Sequence, residues 1–165
     1  ADNMTDTLAA LQVANGYLLP CRAALLADFE GKWAHDGLVL DNWLRLVGSK
    51  PAADVLDEVK QAMSHPTFSI RNPNRLRALI GSFAMNNQVQ FHAVDGSGYR
   101  FLTDLLIALN EVNPQVASRL ITPLIQFKRL DEGRKTLIRA ELIRLANLEG
   151  LARDLFEKVS KALAQ

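Results

Sequence analysis

The sequence predicts an all-α fold of about eight or nine helices, joined as antiparallel pairs into a closed bundle or a stack of helical hairpins, an α-solenoid. Three observations predict it. Apolar residues recur at the helical period along almost the whole chain, with little strict two-residue alternation. Proline opens and glycine closes many of the periodic segments. Nearly all the connections are short, which forces antiparallel neighbours. A degenerate HEAT- or armadillo-like stack fits the helix-pair spacing, although no crisp repeat consensus is visible.

The elements follow in order. "MTDTLAALQVANG" carries Leu8 and Leu11, with Thr5 or Asp6 as N-cap. "PCRAALLADFEGKWAHDG" starts at Pro20 and stops at Gly37. "LDNWLRLVGS" brings Trp43, Leu44 and Val47 and breaks at Gly48. "PAADVLDEVKQAMSHP" opens on Pro51 and closes before Pro66, and "NPNRLRALIGSFAMNN" opens on Pro73. Residues 85–97, "MNNQVQFHAVDGS", read as a connection, long for one between helices. "GYRFLTDLLIALNEVN" runs to Pro114, where "NPQVASRLITPLIQF" begins, with Pro123 predicted to bend it. "DEGRKTLIRAELIRLANLEG" has Asp131 as N-cap and Gly150 as stop, and "LARDLFEKVSKALA" presents Leu151, Leu155, Val159 and Leu163.

A chain of 165 residues, 48% hydrophobic, is long enough for one domain with a real core. Net charge is +1 and pI about 8.1, too balanced to predict nucleic acid or an anionic membrane as partner. A mean hydropathy of +0.01 suits either a Leu- and Ala-rich helical chain or one that bares a docking face. No apolar run reaches the length of a membrane span, and "ADNMTDTLAALQ" lacks the basic and apolar regions of a signal peptide. The start at Ala1, with Met4 inside, is what a fragment of a longer chain shows. Cys21 is the only cysteine, so an internal disulfide and a cysteine zinc cluster are excluded.

Catalytic constellations are absent from the sequence. His35, His65 and His92 stand apart, none with a second histidine four residues away and a glutamate between. Each has a simpler reading: His35 caps a helix end, His65 precedes a turn proline, and His92 packs beside Phe91. "DGSG", residues 95–98, lacks the Lys-Ser or Lys-Thr of a phosphate loop and reads as a turn with an N-cap.

Binding chemistry is present on two helices. On the segment from Pro114, Val116, Leu120, Leu124 and Phe127 make the core face. Gln115, Arg119, Thr122 and Gln126 make a narrow polar stripe beside it. Such amide, hydroxyl and guanidinium groups could hold a peptide backbone or a carboxylate. The competing reading pairs Arg119 with Asp104 or Glu111 of a neighbouring helix. The segment from Pro73 repeats the design. Leu76, Leu79, Ile80 and Phe83 face the core, Asn74, Arg77 and Gly81 lie alongside, and Arg75 points elsewhere. Gly81 costs roughly 1 kcal/mol in a helix interior. Either a ligand or a close helix crossing would explain it.

"NMTDTLAAL", "FSIRNPNRLRALIGSF", "FHAVDGSGYRFL", "NPQVASRLITPLIQFKR" and "LFEKVSKALA" together resemble the C-terminal part of the bacterial aminopeptidase N family, zinc-dependent gluzincins, over essentially the whole chain. The resemblance implies one domain over residues 1–165, the latter half of that family's C-terminal helical domain, a right-handed superhelix of HEAT- or armadillo-like pairs. It implies a cytoplasmic parent enzyme that releases N-terminal amino acids from peptides. There one zinc is held by two His and a Glu, a second Glu is the general base, and a Gly-Ala-Met-Glu-Asn loop binds the free amine. None of these motifs is in this chain, so it would hold no metal or cofactor, be inactive alone and cap the active-site chamber. Its partners would be the catalytic and N-terminal domains of the same parent, and peptides, with no nucleic acid and no membrane. By the same resemblance, Gln115, Arg119 and Arg77 would face the chamber and bind substrate. The alternative from another class is a stand-alone α-solenoid that binds protein segments along its concave wall.

Overall fold

The computed structural model describes residues 37–65 and 68–164, with side chains from Leu40 onward. The two predicted N-terminal helices, with Thr5, Asp6, Cys21 and His35, lie outside the described residues, as does Pro66. The described residues are all helical or irregular, without a strand. The chain divides into two compact units, residues 1–90 and 91–165.

In the first unit, α1 (Gly37–Gly48), α2 (Val55–Met63) and α3 (Pro73–Leu76) lead into a π-helical stretch, Arg77–Asn86. Its core joins Leu40, Trp43, Leu44 and Val47 of α1 to Val55 and Val59 of α2 and to Leu76, Leu79, Ile80 and Phe83. The four core residues read from the period of the Pro73 segment are all buried, and Ala78, Ser82 and Ala84 are buried beside them. The period did not show the wider π winding. Helix α2 begins after Asp54 rather than at Pro51. The stretch from Pro51 is a turn, held by Lys50, whose Nζ lies 2.9 Å from Asp54 and 3.1 Å from Glu58. Asn87 closes the unit, its amide donating to the carbonyls of Gly48 and Lys50.

The expected long connection over residues 85–97 is largely helical. The π stretch runs to Asn86 and a short α4 occupies Gln88–Phe91. The run Asn86, Asn87, Gln88 hides the period, but Phe91 is fully buried and anchors the turn.

In the second unit, α5 (Ser97–Val112) is followed by α6 (Pro114–Leu120), α7 (Thr122–Ile125), α8 (Glu132–Ala146) and α9 (Arg153–Leu163). Asp95 accepts from the Ser97 N–H and hydroxyl, with Gly96 at φ 73°, so "DGSG" is the turn and helix start expected. Asp131 caps α8 by accepting from the Arg134 N–H. Helix α8 ends at Ala146, four residues before Gly150, which takes φ 79° in the turn to α9. That turn is held by Asn110 of α5, which donates to the Gly150 carbonyl and accepts from the Ala152 N–H. Leu102, Leu106 and Leu109 of α5 pack in the core with Ile138, Leu142 and Leu145 of α8 and Leu155 and Val159 of α9.

Candidate functional site

Both Asn-Pro helices start as their sequence dictates. Asn72 Oδ1 accepts from the Asn74 and Arg75 N–H groups, and Asn113 Oδ1 from that of Val116, with Pro73 and Pro114 in the first turn. In the first unit the two arginines of "NRLR" part company. Arg75 reaches the buried Asp41, its Nη1 3.2 Å from Oδ1. Arg77 stays exposed, lies back along its own helix and donates to the Asn74 amide oxygen at 3.0 Å and the Pro73 carbonyl at 3.3 Å. It makes no carboxylate contact among the described residues.

Pro123 splits the second helix rather than merely bending it, since the α6 winding ends at Leu120 and restarts at Thr122. Val116, Leu120, Leu124 and Phe127 are all buried, as the core face requires. Gln115 and Arg119 are exposed, one turn apart on α6, and neither side chain has a hydrogen-bond or charged partner among the described residues. The pairing with Asp104 or Glu111 does not occur. Asp104 is held by Arg144 at 2.7 Å, from α8. Thr122 spends its hydroxyl on the Arg119 carbonyl at 2.9 Å, and Gln126 remains exposed. The structure thus brings Gln115 and Arg119 onto one open helix face, while Arg77 belongs to the other unit.

Gly81 has neither a close crossing nor a neighbour, since a Cβ built there meets nothing within 4 Å. The crowded glycines are others. A Cβ on Gly48 would lie 2.7 Å from the Leu79 carbonyl, and one on Gly98 would run into the backbone of Phe91.

A second polar cluster escaped the sequence. His92 Nδ1 lies 2.6 Å from the Tyr99 hydroxyl, and both rings meet Phe91 edge to face. Arg134 Nε donates to the His92 carbonyl at 2.7 Å and Nη1 to Asp131. Burial pushes the Tyr99 phenol up to about 12, so it keeps its proton. Burial, then the Arg134 charge, hold His92 below the usual histidine range, which favours the neutral ring. Arg134 in turn holds the Asp131 carboxyl below its ordinary range. The cluster clamps the start of α5 to the start of α8. The adjacency of Phe91 and His92 was its one legible sign. Among the described residues no three His, Cys, Asp or Glu side chains gather where a metal could sit.

Lys158 was also missed. It donates from α9 to the Ser118 carbonyl. Its position three residues after the buried Leu155 placed it at the edge of the core stripe, the one signal available.

Residues 1–164 match the family described as "Domain of unknown function (DUF3458_C) ARM repeats". The chain is 60% identical over 163 residues to Aminopeptidase N of Haemophilus influenzae, 53% over 164 to that of Escherichia coli and 39% over 165 to that of Caulobacter vibrioides. Each alignment covers 99% of this chain and 19% of the relative, so the chain spans 19% of the length of the proteins it matches. A crystal structure of Legionella pneumophila aminopeptidase A in complex with aspartic acid superimposes with a TM-score of 0.88 at 29% identity, over 99% of this chain and 19% of that one. Helical throughout its described elements, matched over residues 1–164 and homologous to aminopeptidases, this chain belongs to the DUF3458_C family of ARM-repeat domains.

Proposed function

We propose that this chain is the non-catalytic, latter half of the C-terminal helical domain of a cytoplasmic zinc aminopeptidase. In that role it caps the chamber in which N-terminal amino acids are released from peptides. Its partners are the catalytic and N-terminal domains of the same parent, where the zinc resides. Arg119, Gln115 and Arg77 contact the peptide beyond the scissile bond. The observation that carries the reading is the open face of α6. An exposed guanidinium with no carboxylate partner among the described residues sits one turn from an amide with equally free donors and acceptor. A guanidinium forks onto a carboxylate through paired N–H donors, and an amide can satisfy a peptide N–H or carbonyl. Homology to the aminopeptidases supplies the chemistry such a face would serve.

Arg119→Ala in the intact enzyme tests this. A tripeptide has a chain and a carboxylate beyond the cleaved bond, whereas an aminoacyl anilide has neither. Loss of a hydrogen bond to a charged group costs about 1.5–3 kcal/mol, so kcat/KM on the tripeptide is expected to fall roughly ten- to a hundredfold. The anilide should lose much less. Equal losses on both substrates would overturn the assignment.

A further inference from the structure

At the break before Pro123, two side chains hold the last carbonyls of α6. In an unbroken helix the Arg119 carbonyl accepts from the N–H four residues on, which here is a proline without one. Thr122 Oγ1 donates to that carbonyl at 2.9 Å instead. The preceding carbonyl, that of the buried Ser118, accepts from Lys158 Nζ, forty residues away on α9. The Ser118 carbonyl belongs to the peptide group before the Arg119 Cα, and the Arg119 carbonyl to the one after it. Both peptide planes that flank this Cα are therefore held from outside the regular helix ladder. The Arg119 side chain is exposed and has no hydrogen-bond or charged partner among the described residues, so no polar contact of its own sets its direction.

We infer that Lys158 is a positioning residue for Arg119: its ammonium, with the Thr122 hydroxyl, fixes the two peptide planes from which the Arg119 guanidinium projects. The inference rests on Arg119 being a substrate contact. A guanidinium held at its root loses less freedom when it takes a ligand, and that difference appears as affinity. The cation also satisfies a last-turn helix carbonyl, where positive charge is favoured. That alone would make Lys158 a stabiliser, so the test must separate the two roles.

In the intact enzyme, Lys158→Met, Lys158→Arg, Arg119→Ala and Lys158→Met with Arg119→Ala are compared on a tripeptide and an aminoacyl anilide. Lys158→Met is expected to raise the tripeptide KM roughly three- to tenfold, the worth of one net hydrogen bond, with a smaller change in kcat and on the anilide. Lys158→Arg, which keeps a donor and the charge, should restore most of the KM. In the Arg119→Ala background Lys158→Met should add no further selective loss. Thr122→Val, which keeps the shape and removes the hydroxyl, should act in the same direction and serves if Lys158→Met folds poorly. Equal loss on both substrates, or a full additional loss without Arg119, overturns the positioning role. If Arg119→Ala spares the tripeptide, the substrate role of Arg119 falls and this inference with it. If Arg119→Ala is selective and neither Lys158→Met nor Thr122→Val is, the positioning role alone is wrong.

Discussion

Gly98→Ala is expected to lower stability by about 3 kcal/mol, the upper end for overpacking a tight interior. A Cβ there would lie 3.0 Å from the Phe91 carbonyl carbon and 3.2 Å from its Cα, and closer still to the carbonyl oxygen. These are backbone atoms of a residue with no exposed surface, so no rotamer change relieves the contact. The displacement would reach the next residue, His92, and its bond to Tyr99 at the start of α5. For a chain of this size the midpoint of thermal melting should fall by roughly 6–12 °C. Gly81→Ala, where a Cβ meets open space, is the control and should be neutral or slightly stabilising. If Gly98→Ala melts with the wild type, the close approach of α5 to Phe91 is wrong.

The second large effect concerns the ion pair between α1 and α3. Asp41 is 5% exposed, and Arg75 is its one charged partner among the described residues. Arg75→Met strands a buried carboxylate and should cost about 3–5 kcal/mol in denaturant unfolding. Replacing both partners removes the stranded charge, so Asp41→Leu with Arg75→Met should recover most of that loss. Equal stability of the single and double variants would mean that water already reaches Asp41. Arg77→Met, two residues on, removes only contacts to its own helix and should change stability little.

These contrasts show what the sequence could and could not reveal. The core face from Val116 to Phe127, the Asn-Pro helix starts, the split of Arg75 from Arg77 and the helix bond forfeited at Pro123 were all legible, whereas the full break there was expected only as a bend. Each follows from local geometry: the helical period, a cap, or a missing N–H. The three glycines were not. Gly48, Gly81 and Gly98 look alike along the chain, and only the elements that cross them decide which must lack a Cβ. The same limit hid the Lys158 bond to Ser118, the Asn110 bridge to Gly150 and the Arg144 pair with Asp104, all about 40 residues apart in sequence. The π winding after Leu76 was hidden for another reason, since Leu76, Leu79, Ile80 and Phe83 fall at α-helical spacing and the small Ala78, Ser82 and Ala84 buried beside them do not mark the wider winding. Of the candidate site, the residue types and the shared face of Gln115 and Arg119 were legible. The freedom of the Arg119 side chain was not, because it depended on Asp104 being engaged by Arg144.

Whether the α6 face meets substrate is decided by a structure of the intact enzyme with a non-hydrolysable tripeptide in its chamber. An Arg119 guanidinium nitrogen is expected about 2.7–3.2 Å from an oxygen of the peptide downstream of the scissile bond, with the Gln115 amide beside it. Arg119 paired instead to a carboxylate of another domain, or turned to the outer surface while the peptide lies elsewhere, would contradict it.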